Sequence, residues 1–427
     1  MSHFGVVTPP LFSHFQAMQA LAGRLIDLGH QVTFFQQADA GALLQDTRIA
    51  FRPLGLHSHP VGSLAATLRN AARPAGLGVR RVIRDMALST DMLCAELPQA
   101  LAALKVDALL CDQMEAAGGL VAEATGLPFI SVACALPVNR EPGVPLPVMP
   151  FAWGTDAKMQ HMYATSTRVY DRLMAPLGRV IARRADAFGL PSRVGLHECL
   201  SPLAQVSQSL PGLEFPRRAL PAHFHHVGPL RSPVRLTRDE QPWPVDPGKP
   251  FVFASLGTLQ GHRLGLFKRI AKACRALDAQ LLVAHCGGLD ERQVKQLESA
   301  GATWVTAFAA QPQVMRQANV VVTHAGLNTV MDAIVAATPI LALPIAFDQP
   351  GVASRVQHAG IGLQSWHRSR WQTLARQLGV LLSEQRFGGR LRALDAQLQA
   401  AGGAERAAAI IEQVVTTGQP AYARGLA

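Results

Sequence analysis

A strand-to-helix junction in the second half of the chain carries residue types suited to binding an anion. The β-branched run from Val320 to Val322 leads into His324 and Gly326, and a helix is predicted to begin at about Asn328. The first turn of a helix presents free N–H groups and the positive end of the helix dipole. Glycine lets a phosphate approach the backbone closely, and histidine can donate a further hydrogen bond. Taken alone, the pattern is more often an ordinary glycine-containing turn of an α/β protein.

Carboxylates and an amide follow this junction at spacings that fit a larger ligand. Asp332 lies about one turn into the predicted helix, where an acidic residue can accept hydrogen bonds from ribose hydroxyls. Asp348 and Gln349 follow the next predicted strand at the same edge of the sheet. A carboxylate beside an amide suits hydrogen bonding to the hydroxyls of a hexose.

The elements that would position these residues alternate between strand and helix. A helix over residues 14–28 lies between two strands, and such a βαβ unit implies a parallel sheet with a right-handed crossover. Two doubly wound, Rossmann-like α/β domains facing a cleft are therefore predicted. Their ligands are expected at the C-terminal ends of the strands, in loops 9–14, 112–118 and 323–329. Buried strands are predicted at residues 4–8, 32–35, 107–111, 129–133, 251–255, 280–284, 303–306, 319–323 and 340–343.

Proline and charge mark the junction between the two predicted domains. The segment 231–250 holds five prolines among charged residues, which is typical of a linker. The prediction is a first domain over 1–230, a linker over 231–250, a second domain over 251–400, and a C-terminal helix over 401–427 that returns to the first domain.

The overall composition favours a globular protein with an anionic partner. The formal net charge is +11, from 40 Lys and Arg against 29 Asp and Glu, which suits nucleotide phosphates or an anionic membrane surface. No basic-aromatic pattern supports nucleic acid. The six cysteines are scattered, the start lacks a signal-peptide pattern, and the apolar stretch 118–138 is interrupted by Glu123 and Pro128. A cytoplasmic location is expected, with peripheral contact to the inner membrane as a further hypothesis.

The segment from Phe308 to Gln349 resembles the donor-binding motif of UDP-dependent glycosyltransferases with the GT-B fold. That family includes plant secondary-metabolite and bacterial macrolide glycosyltransferases. The resemblance implies a uracil-stacking Phe308, a ribose-binding Asp332 where the family usually has Glu, and a sugar-binding pair in Asp348 and Gln349. It also assigns the diphosphate and flanking contacts to Ser255, Gly257, Thr258, Gln311, His324, Gly326, Asn328 and Thr329. The run His226-Val-Gly228-Pro229-Leu230 resembles the motif that precedes the family's linker.

The same resemblance assigns catalysis to two residues of the first domain. His14 is implied to be the general base and Asp112 the carboxylate that orients it, although the Gly and Pro that usually accompany the histidine are absent. From the residues alone, His14 is more often a surface or capping histidine, whereas a strand-end or capping role for Asp112 is as consistent with the pattern as a catalytic one. An imidazole with an ordinary pKa of ~6.5 can take the proton of an alcohol as the glycosidic bond forms.

The implied reaction is a direct displacement at the anomeric carbon with inversion. UDP would leave with its charge held by the helix that begins near Gly326. No D-x-D-like metal motif lies near the loops, so no metal and no cofactor is expected beyond the donor substrate itself.

The acceptor side combines apolar and basic segments. The opening of the chain and its overall layout also resemble bacterial glucosyltransferases of hydroxylated carotenoids, which implies UDP-glucose as donor and zeaxanthin or a similar lipophilic alcohol as acceptor. A proline-rich apolar stretch begins the segment 139–185, and a helix is predicted to follow it. That helix would place Leu173, Leu177 and Ile181 on one face. The two basic sets are Arg168, Arg172, Arg179 and Arg183, and Arg69, Arg73, Arg80, Arg81 and Arg84. They fit an anionic lipid surface or an ordinary solvated face.

Three other functions remain open at this point. One is transfer to another lipophilic alcohol, such as a macrolide or a sterol. The second is nucleotide-sugar epimerisation, which the GT-B fold also supports. The third is sugar-nucleotide binding without catalysis.

Overall fold

A computed structural model describes residues 1–74, 76–231 and 243–423 of the chain. Its strands form two separate, wholly parallel sheets, as the alternation of strand and helix predicts. Strand β7 of the first sheet ends at His226 and β8 of the second begins at Phe251. Most of the predicted linker, residues 232–242, lies outside the described residues, as do the last four residues of the predicted C-terminal helix.

The first sheet has seven strands in the order β3-β2-β1-β4-β5-β6-β7. The strands are β1 His3–Val7, β2 Gln31–Gln37, β3 Ala50–Leu54, β4 Ala108–Asp112, β5 Phe129–Ala133, β6 Ala204–Ser207 and β7 Phe224–His226. The helices are α1 Phe12–Asp27, α2 Leu64–Ala72, α3 Leu77–Leu104, α4 Ala116–Thr125 and α5 Ala157–Ala187, with 3-10 turns at Ala38–Leu43 and Leu196–Glu198. Helix α1 begins two residues before its predicted start at His14, because Pro9 and Pro10 end the extended backbone earlier.

The second sheet has six strands in the order β10-β9-β8-β11-β12-β13. The strands are β8 Phe251–Ser255, β9 Gln280–Ala284, β10 Trp304–Thr306, β11 Val320–Thr323, β12 Ile340–Ala342 and β13 Gly362–Gln364. The helices are α6 Gly257–Gln260, α7 Leu264–Ala276, α8 Glu291–Ala300, α9 Gln311–Gln317, α10 Leu327–Val335, α11 Gln349–His358, α12 Trp371–Ser383, α13 Arg386–Ala401 and α14 Gly403–Thr417.

Each sheet is buried on both faces, which is why its central strands read as continuous apolar runs. In the first half, one core joins α1 to the sheet and the other packs α3, α4 and α5 against it. Two further cores cover the second sheet. Helix α14 crosses back to the first half, where Ala407, Ile411 and Val414 share a core with Phe4 and Phe15.

Residues 386–417 form two helices, α13 and α14, separated at Gly402. Gly402 and Gly403 have φ of 84° and 53°, in the left-handed region that favours glycine. They end α13 and redirect the chain, and the N–H of Gly403 donates to the carbonyl of Val227. The motif around Gly228 therefore lies where α14 leaves the second half. None of the helices in the described ranges is both long and apolar enough to cross a bilayer.

Candidate active site

The junction after β11 has the backbone geometry of an anion site. Gly326 is the N-cap residue of α10, and no side chain caps this helix. The N–H groups of its first turn are therefore left for an external acceptor. Ala325 has φ of 65°, a left-handed conformation that non-glycine residues rarely adopt outside constrained turns. The helix begins at Leu327, one residue before the predicted start.

The His324 ring lies between two glycines. A Cβ at Gly257 would come within 2.7 Å of ring atom Cε1, and a Cβ at Gly326 would come within 2.7 Å of Nε2. No larger residue fits at either position without moving the ring. Burial lowers the pKa of His324 to about 4, so the ring is neutral at pH 7. It can offer an anion a hydrogen bond but not a full positive charge.

The remaining residues of the predicted nucleotide site line up along the same sheet edge. Ser255 ends β8 and is buried, whereas Thr258 in α6 is exposed. Phe308 precedes α9 and is 70% exposed, which leaves its ring free to stack on a base. Gln311 is the first residue of α9.

Asp332 does not stand alone at the predicted ribose position. Its Oδ1 accepts a hydrogen bond of 2.8 Å from Arg231 Nη2, and its Oδ2 accepts one of 2.7 Å from Gln311 Nε2. Arg231 also donates to the backbone carbonyl of Asn328 over 3.0 Å. The sequence-based reading missed Arg231, because it lies 101 residues before Asp332 and belongs to no motif.

Asn328 and Thr329 lie in the first turn of α10. Thr329 is buried, and the Oδ1 atom of Asn328 is buried without a hydrogen-bond partner among the described residues. A buried polar atom of this kind normally has a partner, and a donor on a bound ligand would supply it.

The predicted sugar-binding pair differs in its two members. Asp348 Oδ2 accepts a hydrogen bond of 3.1 Å from the backbone N–H of Leu136 in the first half. Gln349 instead turns its carbonyl oxygen onto the N–H groups of Ile345 and Ala346, at 2.9 and 2.8 Å. Only its amide nitrogen is left for a sugar. Gln349 therefore also caps its own loop, a role that the motif did not predict.

His14 and Asp112, 98 residues apart in sequence, form a buried hydrogen-bonded pair. His14 Nδ1 donates to Asp112 Oδ2 over 2.6 Å, and the two side chains are 11% and 0% exposed. They meet because β1 and β4 are neighbours in the sheet, with Val7 paired to Cys111 in register. The bond to Asp112 fixes the proton on Nδ1, so that Nε2 is left as a base.

The electrostatics around His14 favour its protonated form. Burial alone would lower the pKa of His14, but the charge and hydrogen bond of Asp112 outweigh burial, and the pKa is raised above 6.5. Asp348 adds to this effect from across the cleft. Burial in turn raises the pKa of Asp348 itself. The charge interaction links His14 to Asp348, so the predicted base of the first half lies near the predicted sugar-binding carboxylate of the second.

Further donors hold the Asp112 carboxylate. Thr8 Oγ1 donates to Oδ2 over 3.0 Å, and the backbone N–H of Met114 donates to Oδ1 over 2.9 Å. Burial works against ionisation, but His14 and the N–H of Met114 hold the pKa of Asp112 below its usual value. Thr8 was missed from the sequence, although it directly follows β1 and so lies beside the end of β4.

Cys134 lies beside the Asp112 carboxylate. In the described part of the chain, His14, Asp112 and Cys134 have ligand-type atoms within 4.8 Å of one another. Burial raises the pKa of Cys134 well above its ordinary value, with Asp112 acting in the same direction.

The segments predicted to bind the acceptor lie in the first half of the chain. Residues 139–156 lead into α5, whose N-cap Asp156 accepts from the N–H of Met159. Of the three apolar residues predicted to share one face of this helix, Leu177 and Ile181 are buried, whereas Leu173 is 47% exposed. Helix α3 therefore covers only part of this 31-residue helix.

Two facing parallel α/β domains, an uncapped helix terminus at a sheet edge and an imidazole–carboxylate pair opposite it define a nucleotide-sugar glycosyltransferase of the GT-B class. Residues 265–386 match the family described as Glycosyltransferase family 28 C-terminal domain. Among solved structures, the glycotransferase of kitacinnamycin has a TM-score of 0.77 at 20% identity, with 97% of this chain and 99% of that chain covered. The calicheamicin glycosyltransferase CalG4 has a TM-score of 0.72 at 17% identity, with 98% and 100% covered.

Two curated relatives span nearly the whole chain. A zeaxanthin glucosyltransferase of Pantoea ananas is 51% identical over 98% of this chain and 97% of its own length. One of Pseudescherichia vulneris is 50% identical over 97% of this chain and 98% of its own length. The chain therefore belongs to the zeaxanthin glucosyltransferase family. The predicted fold class and the predicted enzyme class are confirmed.

Proposed function

We propose that this protein transfers glucose from UDP-glucose to the ring hydroxyls of zeaxanthin with inversion, as a step of carotenoid biosynthesis. Zeaxanthin has two equivalent hydroxyls, so a monoglucoside and then a diglucoside are the expected products. The observation that carries the chemistry is the buried His14–Asp112 pair, whose free Nε2 atom belongs to the side of the cleft opposite Asp348.

The proposed step is a single displacement. The acceptor oxygen attacks the anomeric carbon while His14 Nε2 takes the hydroxyl proton. The bond between the anomeric carbon and the β-phosphate oxygen breaks, and UDP leaves with the electron pair. Asp112 stabilises the imidazolium that forms without itself accepting the proton.

The leaving group is proposed to be stabilised by the protein and not by a divalent metal. The first turn of α10 and the neutral His324 ring supply donors where charge develops on UDP. Activity measured in excess EDTA is expected to equal that in buffer with added Mg²⁺. Loss of most activity in EDTA, restored by Mg²⁺, would contradict this.

The acceptor and the sugar are proposed from the two zeaxanthin glucosyltransferases that are 51% and 50% identical to this chain. The decisive experiment incubates purified protein with zeaxanthin and UDP-glucose, or UDP-galactose in a parallel arm, and identifies products by mass. A zeaxanthin glucoside formed from UDP-glucose supports the proposal. Transfer to a macrolide or a sterol but not to zeaxanthin would overturn the acceptor, and release of an epimerised nucleotide sugar would overturn the reaction class.

A peripheral contact with an anionic membrane is part of the proposal, because zeaxanthin resides in lipid. Arginines 80, 81, 168 and 172 are exposed on α3 and α5. Changing all four to Gln is expected to weaken binding to anionic vesicles. Unchanged binding would argue against the contact.

A further inference from the structure

A groove between α3 and α5 is lined by both arginine and apolar side chains. Its cavity measures about 320 Å³ and is lined by Arg80, Ile83, Arg172, Leu173, Ala175, Pro176 and Arg179. All of these residues belong to the first half of the chain, whereas the nucleotide-binding residues belong to the second. The groove is therefore separate from the donor site.

The groove carries uncompensated charge. In the described part of the chain, none of Arg80, Arg172 and Arg179 has an acidic partner within salt-bridge distance. Neighbouring arginines do, since Arg183 and Arg184 share Asp91, and Arg140 pairs with Asp171. Three guanidinium groups at one groove repel one another until an anion enters, and the guanidinium fork suits phosphate in particular.

Exposed aliphatic side chains flank the arginines. Leu88 and Val169 are 47% and 48% exposed, and Leu173 in the groove itself is 47% exposed. Leu88 follows Arg80 by eight residues on α3, and Leu173 follows Val169 by four on α5, so each pair shares a helix face. Guanidinium groups beside exposed aliphatic chains are suited to the boundary between lipid headgroups and acyl chains. The lining contains no aromatic ring on which a nucleic-acid base could stack.

We propose that this groove binds the phosphate of an anionic phospholipid, with Arg172 and Arg179 on the headgroup and Leu173 towards the acyl region. This inference rests on the proposed membrane contact but goes further. A diffuse contact would depend on the number of positive charges, whereas a headgroup site depends on where they lie.

The test compares two double variants of equal charge in the full-length protein. Arg172→Gln/Arg179→Gln removes groove charges, and Arg81→Gln/Arg84→Gln removes exposed charges of α3 that do not line the groove. Binding to vesicles of phosphatidylcholine with 30% phosphatidylglycerol is measured by sedimentation. The groove variant is expected to bind about 100-fold more weakly, and the control about 10-fold more weakly at most. Glucosylation of a water-soluble alcohol by both variants checks that they are folded.

Each other outcome has a definite meaning. Equal losses in the two variants, or no loss in either, would overturn the headgroup site. Zeaxanthin glucosylation by the unchanged protein in detergent micelles tests the proposed function without depending on the vesicle binding of either variant. Inorganic phosphate distinguishes a lipid headgroup from free phosphate as the bound anion. Calorimetry measures its binding to the protein without vesicles, and a second assay measures its competition with vesicles. Calorimetric binding of phosphate alone, together with competition at millimolar concentration, would reassign the groove to free phosphate.

Discussion

Arg231 links the start of the predicted linker to Asp332 of α10, at the predicted ribose position. The hydrogen bond of 2.8 Å between them, with that of 2.7 Å from Gln311, occupies one acceptor position on each carboxylate oxygen. An ionised carboxylate has about four such positions. Two positions remain, which suits the two adjacent hydroxyls of a ribose. The shorter side chain of Asp332, where the family usually has Glu, is thus held in place from both sides.

Replacing Arg231 is expected to weaken donor binding more than catalysis. Arg231→Met should raise KM for UDP-glucose about 10-fold and change kcat less than about 3-fold, because the lost contact acts equally in the ground and transition states. Arg231→Lys should recover part of the loss. Arg292→Met, on the exposed face of α8, is the matched control. A fall in kcat at unchanged KM would contradict this role.

The His14–Asp112 pair predicts a specific pH dependence. The pKa of His14 is raised above 6.5, and only its deprotonated form acts as a base. Activity should therefore be full at pH values above this pKa and fall as the pH drops through it. Asp112→Asn removes the negative charge that raises the pKa of His14 but leaves the burial that lowers it. The acid limb of the kcat/KM profile should therefore move to lower pH. The rate at the plateau should fall by roughly 10²- to 10⁴-fold.

Asp107→Asn, at the other end of β4, is a matched control for Asp112→Asn. Its carboxylate accepts from the backbone N–H of His3 and has no contact with His14. Its pH profile should match that of the unchanged protein. His14→Ala should lose activity to a similar degree as Asp112→Asn, and undiminished turnover would refute the assignment of the base.

His324 is expected to act as a neutral donor. Because burial lowers its pKa to about 4, its protonation does not change between pH 6 and 8. The affinity for UDP-glucose, which has no phosphate titrating in this range, should be flat there by calorimetry. His324→Gln should keep the affinity within about 3-fold, and His324→Ala should lose about 10-fold. An affinity that rises steadily as the pH is lowered from 8 to 6 would indicate a charged imidazolium instead.

A buried ion pair fixes the second half against the first. Arg355 Nε donates to Glu214 Oε1 over 2.5 Å, and the side chains are 1% and 4% exposed. Arg355→Met leaves Glu214 buried without this partner and should destabilise the protein by about 3–5 kcal/mol in urea unfolding. Arg140→Met breaks a pair that is 26% and 47% exposed and should cost less than about 1 kcal/mol. Equal effects would mean that Arg355 is not a key interdomain contact.

The nucleotide half of the site was largely predictable from sequence. Most of its predicted contacts lie within the segment from Phe308 to Gln349, where strand, turn and helix follow one another locally. A β-branched run, a glycine and an apolar helical pattern are local signals, so the geometry around His324 could be inferred with little knowledge of tertiary structure.

The catalytic half depends on strand order, which the residues alone do not encode. His14 meets Asp112 only because the neighbour of β4 in the sheet is β1, and not β3, which precedes β4 in the sequence. Four strands were not predicted from the sequence, namely β3, β6, β7 and β13. Pro53 weakens the β pattern of β3, and the other three have only three or four residues, too few to show a clear period. No local pattern around Arg231 predicts its bond to Asp332, because this contact depends on the tertiary arrangement of the chain.

Helix α14 gives this protein an unusual order of assembly. Its Ile411 and Val414 complete a core whose other members include Phe4 and Phe15, at the opposite end of the chain. During synthesis the second half has all its strands available once Gln364 has left the ribosome. The first half, although made earlier, leaves part of its apolar surface open until residue 417 emerges. The first half of the protein is therefore the last part to become complete.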